Sequence, residues 1–211
     1  MITTEKTRIG DTITANGVET AYRFDGPEEG PVVLLANSLL TNYGMWDGQV
    51  PALADKYRML RYDQRGHGAS EAPEPPYSFD MLAEDAKGLL DALGIEAVHF
   101  CGFSMGGMTA LAFAAKYPDR VQSLALCDTA CRMADPGMFD GFAMAAQDFG
   151  LEALAAPTLE NTFTEAFRDA DPAAVARIGE MFAATSLDGF IGCCNAIEAM
   201  DHEDLLAGIA A

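Results

Sequence analysis

A serine flanked by glycines, between an apolar stretch and a helix-forming stretch, constrains the fold of this chain more than any other feature. Gly102, Ser104 and Gly106 form the pattern G-x-S-x-G. Upstream, residues 98–101 (VHFC) form a short apolar run of the kind that a buried strand shows. Downstream, residues 108–117 (MTALAFAAKY) are rich in alanine and leucine and end before a proline, as a helix does. The sequence therefore predicts a strand, a sharp turn and a helix around Ser104.

This arrangement predicts a nucleophilic serine. In a strand–turn–helix elbow the serine lies in a strained turn, so the residues two positions before and after it must be small. Its hydroxyl then lies at the N-terminal end of a helix, where free N–H groups stabilise developing negative charge. Such a serine also needs a histidine to accept its proton and a carboxylate to orient that histidine. His202 is the only histidine that follows Ser104 in the sequence.

The composition predicts one domain with a sizeable core and excludes several kinds of partner. The chain has 211 residues, of which 50% are hydrophobic. Its 13 basic and 32 acidic residues give a net charge of −19. Such a surface repels phosphate backbones and anionic lipids, so we expect neither nucleic-acid nor membrane binding. The expected partner is a small molecule.

The lack of a recognisable targeting signal and the cysteine usage predict a cytoplasmic protein. No apolar run approaches the roughly 18 to 20 residues of a membrane span. The first residues (MITTEKTRIGD) lack the basic and apolar regions of a signal peptide. The cysteines are odd in number, so we expect reduced thiols. Cys127 and Cys131 lack a second pair of ligands, so no metal site is expected.

The first 130 residues alternate between strand and helix patterns. Predicted strands, the first two joined by an Asn16–Gly17 hairpin turn, cover residues 8–15, 18–24, 32–36, 58–62, 98–101 and 121–127. Predicted helices cover residues 45–57, 108–117 and a segment that begins after its cap Ser78 and runs through Leu93. This alternation indicates a mostly parallel sheet with an antiparallel hairpin on one edge.

From about Asp135 the pattern becomes helical. Helices are predicted over residues 138–155, 158–168, 172–184 and 188–200, with Pro157 and Pro172 near helix starts. Four successive helices without a strand favour a cap over an active site, although ordinary packing helices are the alternative. We therefore expect a core over residues 1–134, a helical cap over 135–201 and a return toward the core over 202–211.

Several segments resemble the α/β-hydrolase superfamily, and most of all its 3-oxoadipate enol-lactonase branch, which opens a lactone ring in microbial breakdown of aromatic acids. The segments are 37–39 (NSL), 45–47 (MWD), 62–70 (YDQRGHGAS), 102–107 (GFSMGG), 150–154 (GLEAL), 158–167 and 189–197 (GFIGCCNAI). The resemblance implies an α/β-hydrolase fold. It also implies that residues 206–211 (LAGIAA) lead into a further strand, the acid, a last strand and the catalytic histidine. The chain would then end before these parts, with the C-terminal strands missing.

The resemblance assigns the oxyanion hole as well as the nucleophile. Two backbone N–H groups would stabilise the oxyanion that forms when Ser104 attacks a carbonyl. One is that of Met105, and the other is that of Leu39, in the loop after the strand 32–36. Leu40 occupies a position where relatives often carry glycine, which is expected to alter the backbone of this loop.

Candidates for the base and the acid are weaker. His67 is expected to brace a turn, and His99 to be a satisfied histidine of the core. His202 lies in a charged, solvated stretch and could replace the base only if the chain rearranged. Asp128, at the end of the strand 121–127, is an alternative acid or simply a loop aspartate.

Two further side chains are candidates for substrate binding. Arg132 enters the cap segment near the expected pocket mouth and could bind a substrate carboxylate, unless it is a surface arginine. Trp46, in the MWD segment, is the second candidate.

The function that follows is hydrolysis of a carboxylic ester or lactone, specifically 3-oxoadipate enol-lactone, without a metal or organic cofactor. The alternatives are a general carboxylesterase, a cofactor-free perhydrolase, and a hydrolase-fold fragment or binding module without turnover. If the chain ends at Ala211, the strand 121–127 lacks a neighbour on one side, and we expect the isolated chain either to self-associate through that edge or to be poorly soluble.

Overall fold

A six-stranded sheet forms the centre of the protein. The computed structural model describes residues 10–135 and 137–210. The strands are β1 (Asp11–Ala15), β2 (Val18–Asp25), β3 (Val32–Ala36), β4 (Arg58–Tyr62), β5 (Val98–Phe103) and β6 (Val121–Cys127). Their order in the sheet is β1-β2-β4-β3-β5-β6. β1, β2 and β4 pair in antiparallel fashion and the remaining pairs are parallel. The predicted α/β-hydrolase sheet is therefore confirmed.

The hairpin between β1 and β2 forms as the sequence predicts. Asn16 and Gly17 have φ angles of 51° and 77°, the left-handed values that a two-residue turn of this kind requires. The Asn16 side chain also donates a hydrogen bond of 2.9 Å to Asp85. The turn is thus tied to the helix that packs over the hairpin. Arg8 and Ile9, which the sequence assigns to the first strand, lie outside the described residues.

Eight α-helices are found in the described residues. They are α1 (Val50–Leu53), α2 (Phe79–Ala92), α3 (Met105–Lys116), α4 (Met138–Phe149), α5 (Leu151–Thr162), α6 (Glu165–Ala170), α7 (Pro172–Ala184) and α8 (Leu187–Glu198). Short 3-10 helices cover Tyr43–Trp46, Pro118–Arg120 and Glu203–Gly208. The cap of α2 is as predicted, because Ser78 accepts a hydrogen bond from the N–H of Met81. No described helix is long and apolar enough to cross a bilayer.

The predicted helix over residues 45–57 is wrong. The chain forms a 3-10 turn, Tyr43–Trp46, and the single turn α1. The segment contains Gly48, a poor helix former, and Pro51, whose ring removes a backbone donor. The apolar spacing instead reflects burial of Trp46 in a small core cluster with Leu35 and Met59.

The predicted helix boundaries between residues 138 and 168 also differ from the structure. α4 ends at Phe149, and Gly150, whose φ is 81°, turns the chain directly into α5. Pro157 lies inside α5 rather than near its start. A separate helix, α6, begins after Thr164, whose hydroxyl accepts a hydrogen bond from the N–H of Phe167. A glycine with a positive φ angle thus ends the helix where apolar periodicity alone predicted that it would continue.

Close backbone packing holds α8 against the loop after β4. A Cβ built on Gly66 would lie 2.2 Å from the Cα of Gly189. The N–H of Ser186 donates to the carbonyl of Gly66 at 3.3 Å. The two glycines therefore let the helical segment 138–198 approach the sheet region. The division into core, cap and return segment stays a prediction.

We expect β6 to mediate self-association of the 211-residue chain. Among the described residues β6 pairs only with β5, and Leu126 on it is 43% exposed. An exposed edge with apolar side chains offers unpaired N–H and C=O groups to another chain. Leu126→Lys should lower the average mass measured by light scattering at high protein concentration.

Leu206→Lys is the matched control, because Leu206 is also 43% exposed but lies in a 3-10 helix. It should leave the average mass unchanged. A wild-type chain that stays monomeric at high concentration would contradict the prediction.

Candidate active site

Ser104 lies in a strained turn between β5 and α3. Its backbone angles are φ 51° and ψ −114°, a region that costs a non-glycine residue on the order of 1–3 kcal/mol. A Cβ built on Gly102 would lie 2.2 Å from the carbonyl oxygen of Gly106, and one built on Gly106 would lie 2.2 Å from that of Ala36. Both glycines are therefore needed for the backbones to pass.

Hydrogen bonds from the segment after β6 hold this turn in place. The N–H of Ser104 donates to the carbonyl of Cys127 at 2.9 Å. The hydroxyl of Thr129 donates to the carbonyl of Ser104 at 2.7 Å. Gly107 makes room for Thr129, because a Cβ there would lie 2.7 Å from its side chain. Neighbouring structure thus stabilises a conformation that is locally unfavourable.

Two backbone donors are available beside the serine. Met105 is the first residue of α3, so its N–H has no acceptor within the helix. No described residue accepts a hydrogen bond from the N–H of Leu39, and Leu39 lines the same cavity as Ser104. This is the chemistry that an oxyanion hole requires. The predicted assignment of Leu39 and Met105 to that role remains a proposal.

His67 braces the loop that carries Leu39. The N–H of Leu40 donates to Nε2 of His67 at 3.0 Å, while Nδ1 of His67 lies 3.1 Å from the carbonyl oxygen of Arg65. Nε2 must therefore be unprotonated and Nδ1 carries the proton. Full burial lowers the pKa of His67 to about 4. Leu40 itself has φ 65°, which explains why glycine suits this position.

A buried polar network, which the sequence did not reveal, joins this loop to α3. The Asn37 side chain donates to the carbonyl of Thr41 at 2.6 Å. Gln64 donates to the carbonyl of Asn37 at 2.7 Å and accepts from the Thr109 hydroxyl at 2.8 Å. Every one of these side chains except that of Thr41 is at most 1% exposed. The residue types alone did not indicate this role, because it depends on contacts between residues that are 27 and 45 positions apart in the sequence.

A cavity of about 730 Å³ opens above Ser104. Its floor includes Ser38, Leu39, Phe103 and Ser104, and its walls are mostly apolar side chains of the helical segment, among them Phe139 and Phe142 on α4, Leu154 on α5, and Ile178, Met181 and Phe182 on α7. A largely apolar cavity with a few polar groups is typical of a small-molecule site. Asp128, the alternative acid, also lines it.

The structure corrects two predicted substrate contacts. Trp46 is 5% exposed and packs in the core cluster beneath the 3-10 turn, so it does not line the cavity. Arg132 is exposed and pairs with Glu203 at 3.4 Å, also outside the cavity. The surface alternative for Arg132 is therefore the one the structure supports.

None of the three histidines contacts Ser104 in the described part of the chain. His67 bonds Leu40 and Arg65 as above, and His99 lies 2.8 Å from the Ser123 hydroxyl on the neighbouring strand. His202 was expected to be solvated, but it is only 8% exposed and packs edge-on against Phe79. Its burial lowers its pKa. Within the described residues, then, no histidine side chain is hydrogen-bonded to Ser104.

Strain at Ser104 predicts an unusual effect of substitution. Glycine tolerates positive φ, whereas alanine keeps the Cβ that makes this conformation unfavourable. We expect Ser104→Gly to be more stable than Ser104→Ala by about 1 kcal/mol. Urea unfolding of the two variants measures the difference. Equal stability would show that the turn is unstrained.

Burial of His67 predicts a loss of stability in mild acid. Because folding lowers its pKa from 6.5 to about 4, the native state binds fewer protons than the unfolded state. The contribution of neutral His67 to the free energy of unfolding is present in full above pH 6.5. It is lost as the pH falls through 4, by about 3 kcal/mol in all.

His67→Gln isolates this contribution from that of other titrating groups, including Asp63, whose pKa burial raises to about 6. The wild-type chain should exceed the variant in urea-unfolding free energy at pH 7.5, and its advantage should shrink steadily toward pH 4.5. An advantage that does not change with pH would refute the prediction.

Comparisons with known proteins agree with this geometry. Residues 31–187 match the alpha/beta hydrolase fold family. The chain is 35% identical over 200 residues to 3-oxoadipate enol-lactonase 2 of Acinetobacter baylyi, covering 95% of this chain and 75% of that protein. The structure of the enol-lactonase from Burkholderia xenovorans LB400 matches with a TM-score of 0.93 and 41% identity, covering 95% of this chain and 78% of that one.

A more distant likeness links the chain to an esterase. The thermophilic esterase from Thermogutta terrifontis, solved with malate bound, matches with a TM-score of 0.88 and 27% identity over 96% of this chain and 77% of that one. The family match covers most of the chain, and the strand order and the glycine-flanked serine agree with it. The chain therefore belongs to the alpha/beta hydrolase family of enzymes.

Proposed function

We propose that this hydrolase cleaves a carboxylic ester or lactone through Ser104, and that its substrate is 3-oxoadipate enol-lactone. The observation that carries the proposal is the strained Ser104 at the floor of an apolar cavity, beside the N–H groups of Leu39 and Met105. The similarity to two proteins named enol-lactonases supports the choice of substrate.

The proposed reaction proceeds through an acyl-enzyme. The Ser104 oxygen attacks the lactone carbonyl and gives its proton to a base, while Leu39 and Met105 donate hydrogen bonds to the resulting oxyanion. Collapse of this intermediate breaks the ring C–O bond, the protonated base returns its proton to the leaving enolate, and the acyl group stays on Ser104. Water then hydrolyses that ester and releases the open-chain acid.

The turnover of the 211-residue chain depends on which group serves as the base. No described histidine contacts Ser104, and Asp128 is the cavity carboxylate that directly follows β6, the strand paired with β5. Backbone donors and binding alone supply roughly 10³- to 10⁴-fold acceleration over water. A hydrolase-fold module that binds without turnover is therefore the alternative from another functional class.

The alternatives within the family differ in substrate. The likeness to the Thermogutta terrifontis esterase supports a general carboxylesterase. A cofactor-free perhydrolase would need hydrogen peroxide as the acyl acceptor. The substrate class thus separates the three activities, and a cytoplasmic location stays a prediction for each of them.

The test compares three substrates on three proteins. Enol-lactone opening, p-nitrophenyl ester hydrolysis and peroxide-dependent peracid formation are measured for the wild type, Ser104→Ala and Ser38→Ala. Ser38 is the matched control, because it lines the same cavity but lies outside the elbow. We expect enol-lactone to be the preferred substrate. We also expect Ser104→Ala to abolish the activity and Ser38→Ala to retain most of it.

A fluorophosphonate probe tests the nucleophile separately from the substrate. Labelling that Ser104→Ala eliminates and Ser38→Ala preserves would support Ser104, even if turnover is slow. Equal rates for the wild type and Ser104→Ala in every assay would overturn the proposed activity and favour the binding module.

A further inference from the structure

One face of α7 forms a wall of the cavity above Ser104. Ala174, Arg177, Ile178, Met181 and Phe182 line the cavity at spacings of three and four residues, as one side of a helix does. Four of these side chains are apolar. Arg177 is the exception, and it is the only basic side chain among the described residues that line the cavity.

The charge of Arg177 is not neutralised by the protein. No ion pair, hydrogen bond or ring contact involves its side chain within residues 10–135 and 137–210, and the residue is exposed. Arg61, in contrast, is 1% exposed and pairs with Asp25 and Asp47, each at 2.6 Å. Asp47 is therefore already paired, although it too lines the cavity.

An unpaired guanidinium on an apolar wall is suited to a carboxylate ligand. Arginine offers a planar set of donors that matches the two oxygens of a carboxylate. The protein carries a net charge of −19, so a small anion meets an unfavourable field unless a local cation offsets it. Within the cavity that cation is Arg177.

We propose that Arg177 binds a carboxylate at the end of the substrate remote from the reacting carbonyl. This inference rests on the proposed function and names the side chain that would recognise the free carboxylate of its substrate. The carbonyl lies at Ser104 on the floor while the carboxylate lies against α7. Arg177, rather than Arg132, then sets the preference for anionic over neutral substrates.

The first test measures binding without turnover. Calorimetry compares adipate, a six-carbon dicarboxylate, with adipamide, its neutral counterpart, on the wild type, Arg177→Gln, Arg177→Lys and Arg132→Gln. Arg132→Gln is the matched control, since it removes an exposed arginine outside the cavity. We expect Arg177→Gln to weaken adipate binding at least about tenfold. Arg177→Lys should lose less, and Arg132→Gln should match the wild type.

The second test separates binding from chemistry. With an ester that bears a free carboxylate, Arg177→Gln should raise KM with little change in kcat, because the contact is the same in ground and transition states. The corresponding neutral methyl ester should show no change in KM. Equal effects on both esters would show a structural role and overturn the proposal, as would adipate binding that is unaffected by Arg177→Gln.

The two proposals fail in different ways. If adipate binding depends on Arg177 but no hydrolysis depends on Ser104, only the proposed reaction is overturned. If hydrolysis depends on Ser104 but proceeds equally well with anionic and neutral substrates, in both the wild type and Arg177→Gln, only the carboxylate site is overturned.

Discussion

The close passage of backbones at the elbow is the constraint on which the rest of the site depends. The first turn of α3 lies so close to β5 that Gly102 has no room for a Cβ, and so close to the carbonyl of Ala36 on β3 that Gly106 has none either. This contact places the C-terminal ends of β3 and β5 beside the start of α3. Ser104 and the loop after β3 consequently meet at one edge of the sheet, as the proposed reaction requires.

Buried polar contacts then hold the loop after β3 against its neighbours. His67, neutral because of its burial, accepts from Leu40, and the chain of bonds from Asn37 through Gln64 to Thr109 links the loop to α3. Such a network stabilises the structure only when all its members are satisfied. Preorganised donors are what electrostatic stabilisation of an oxyanion requires, since they need not reorient during the reaction.

The helices from α4 to α8 complete the cavity above Ser104. They supply most of its apolar walls, and α7 contributes Arg177, the one basic side chain among the described residues that line it. In the proposed function, chemistry and recognition are thus separated between two parts of the fold. Substitutions on α7 can alter which substrates bind while leaving the strained serine and its neighbours unchanged, because no elbow hydrogen bond involves α7.

Local rules in the sequence determined the sheet strands, the Asn16–Gly17 hairpin and the position of Ser104, because each depends on neighbours within a few residues. Only the tertiary structure decided which side chains face the cavity. Trp46 and Arg132 were chosen from chemical type and position, yet one packs in the core and the other pairs at the surface. Arg177 was missed because its exposure to the cavity depends on how α7 packs against α5 and α6. Burial of one helix face is a long-range property, and no local pattern encodes it.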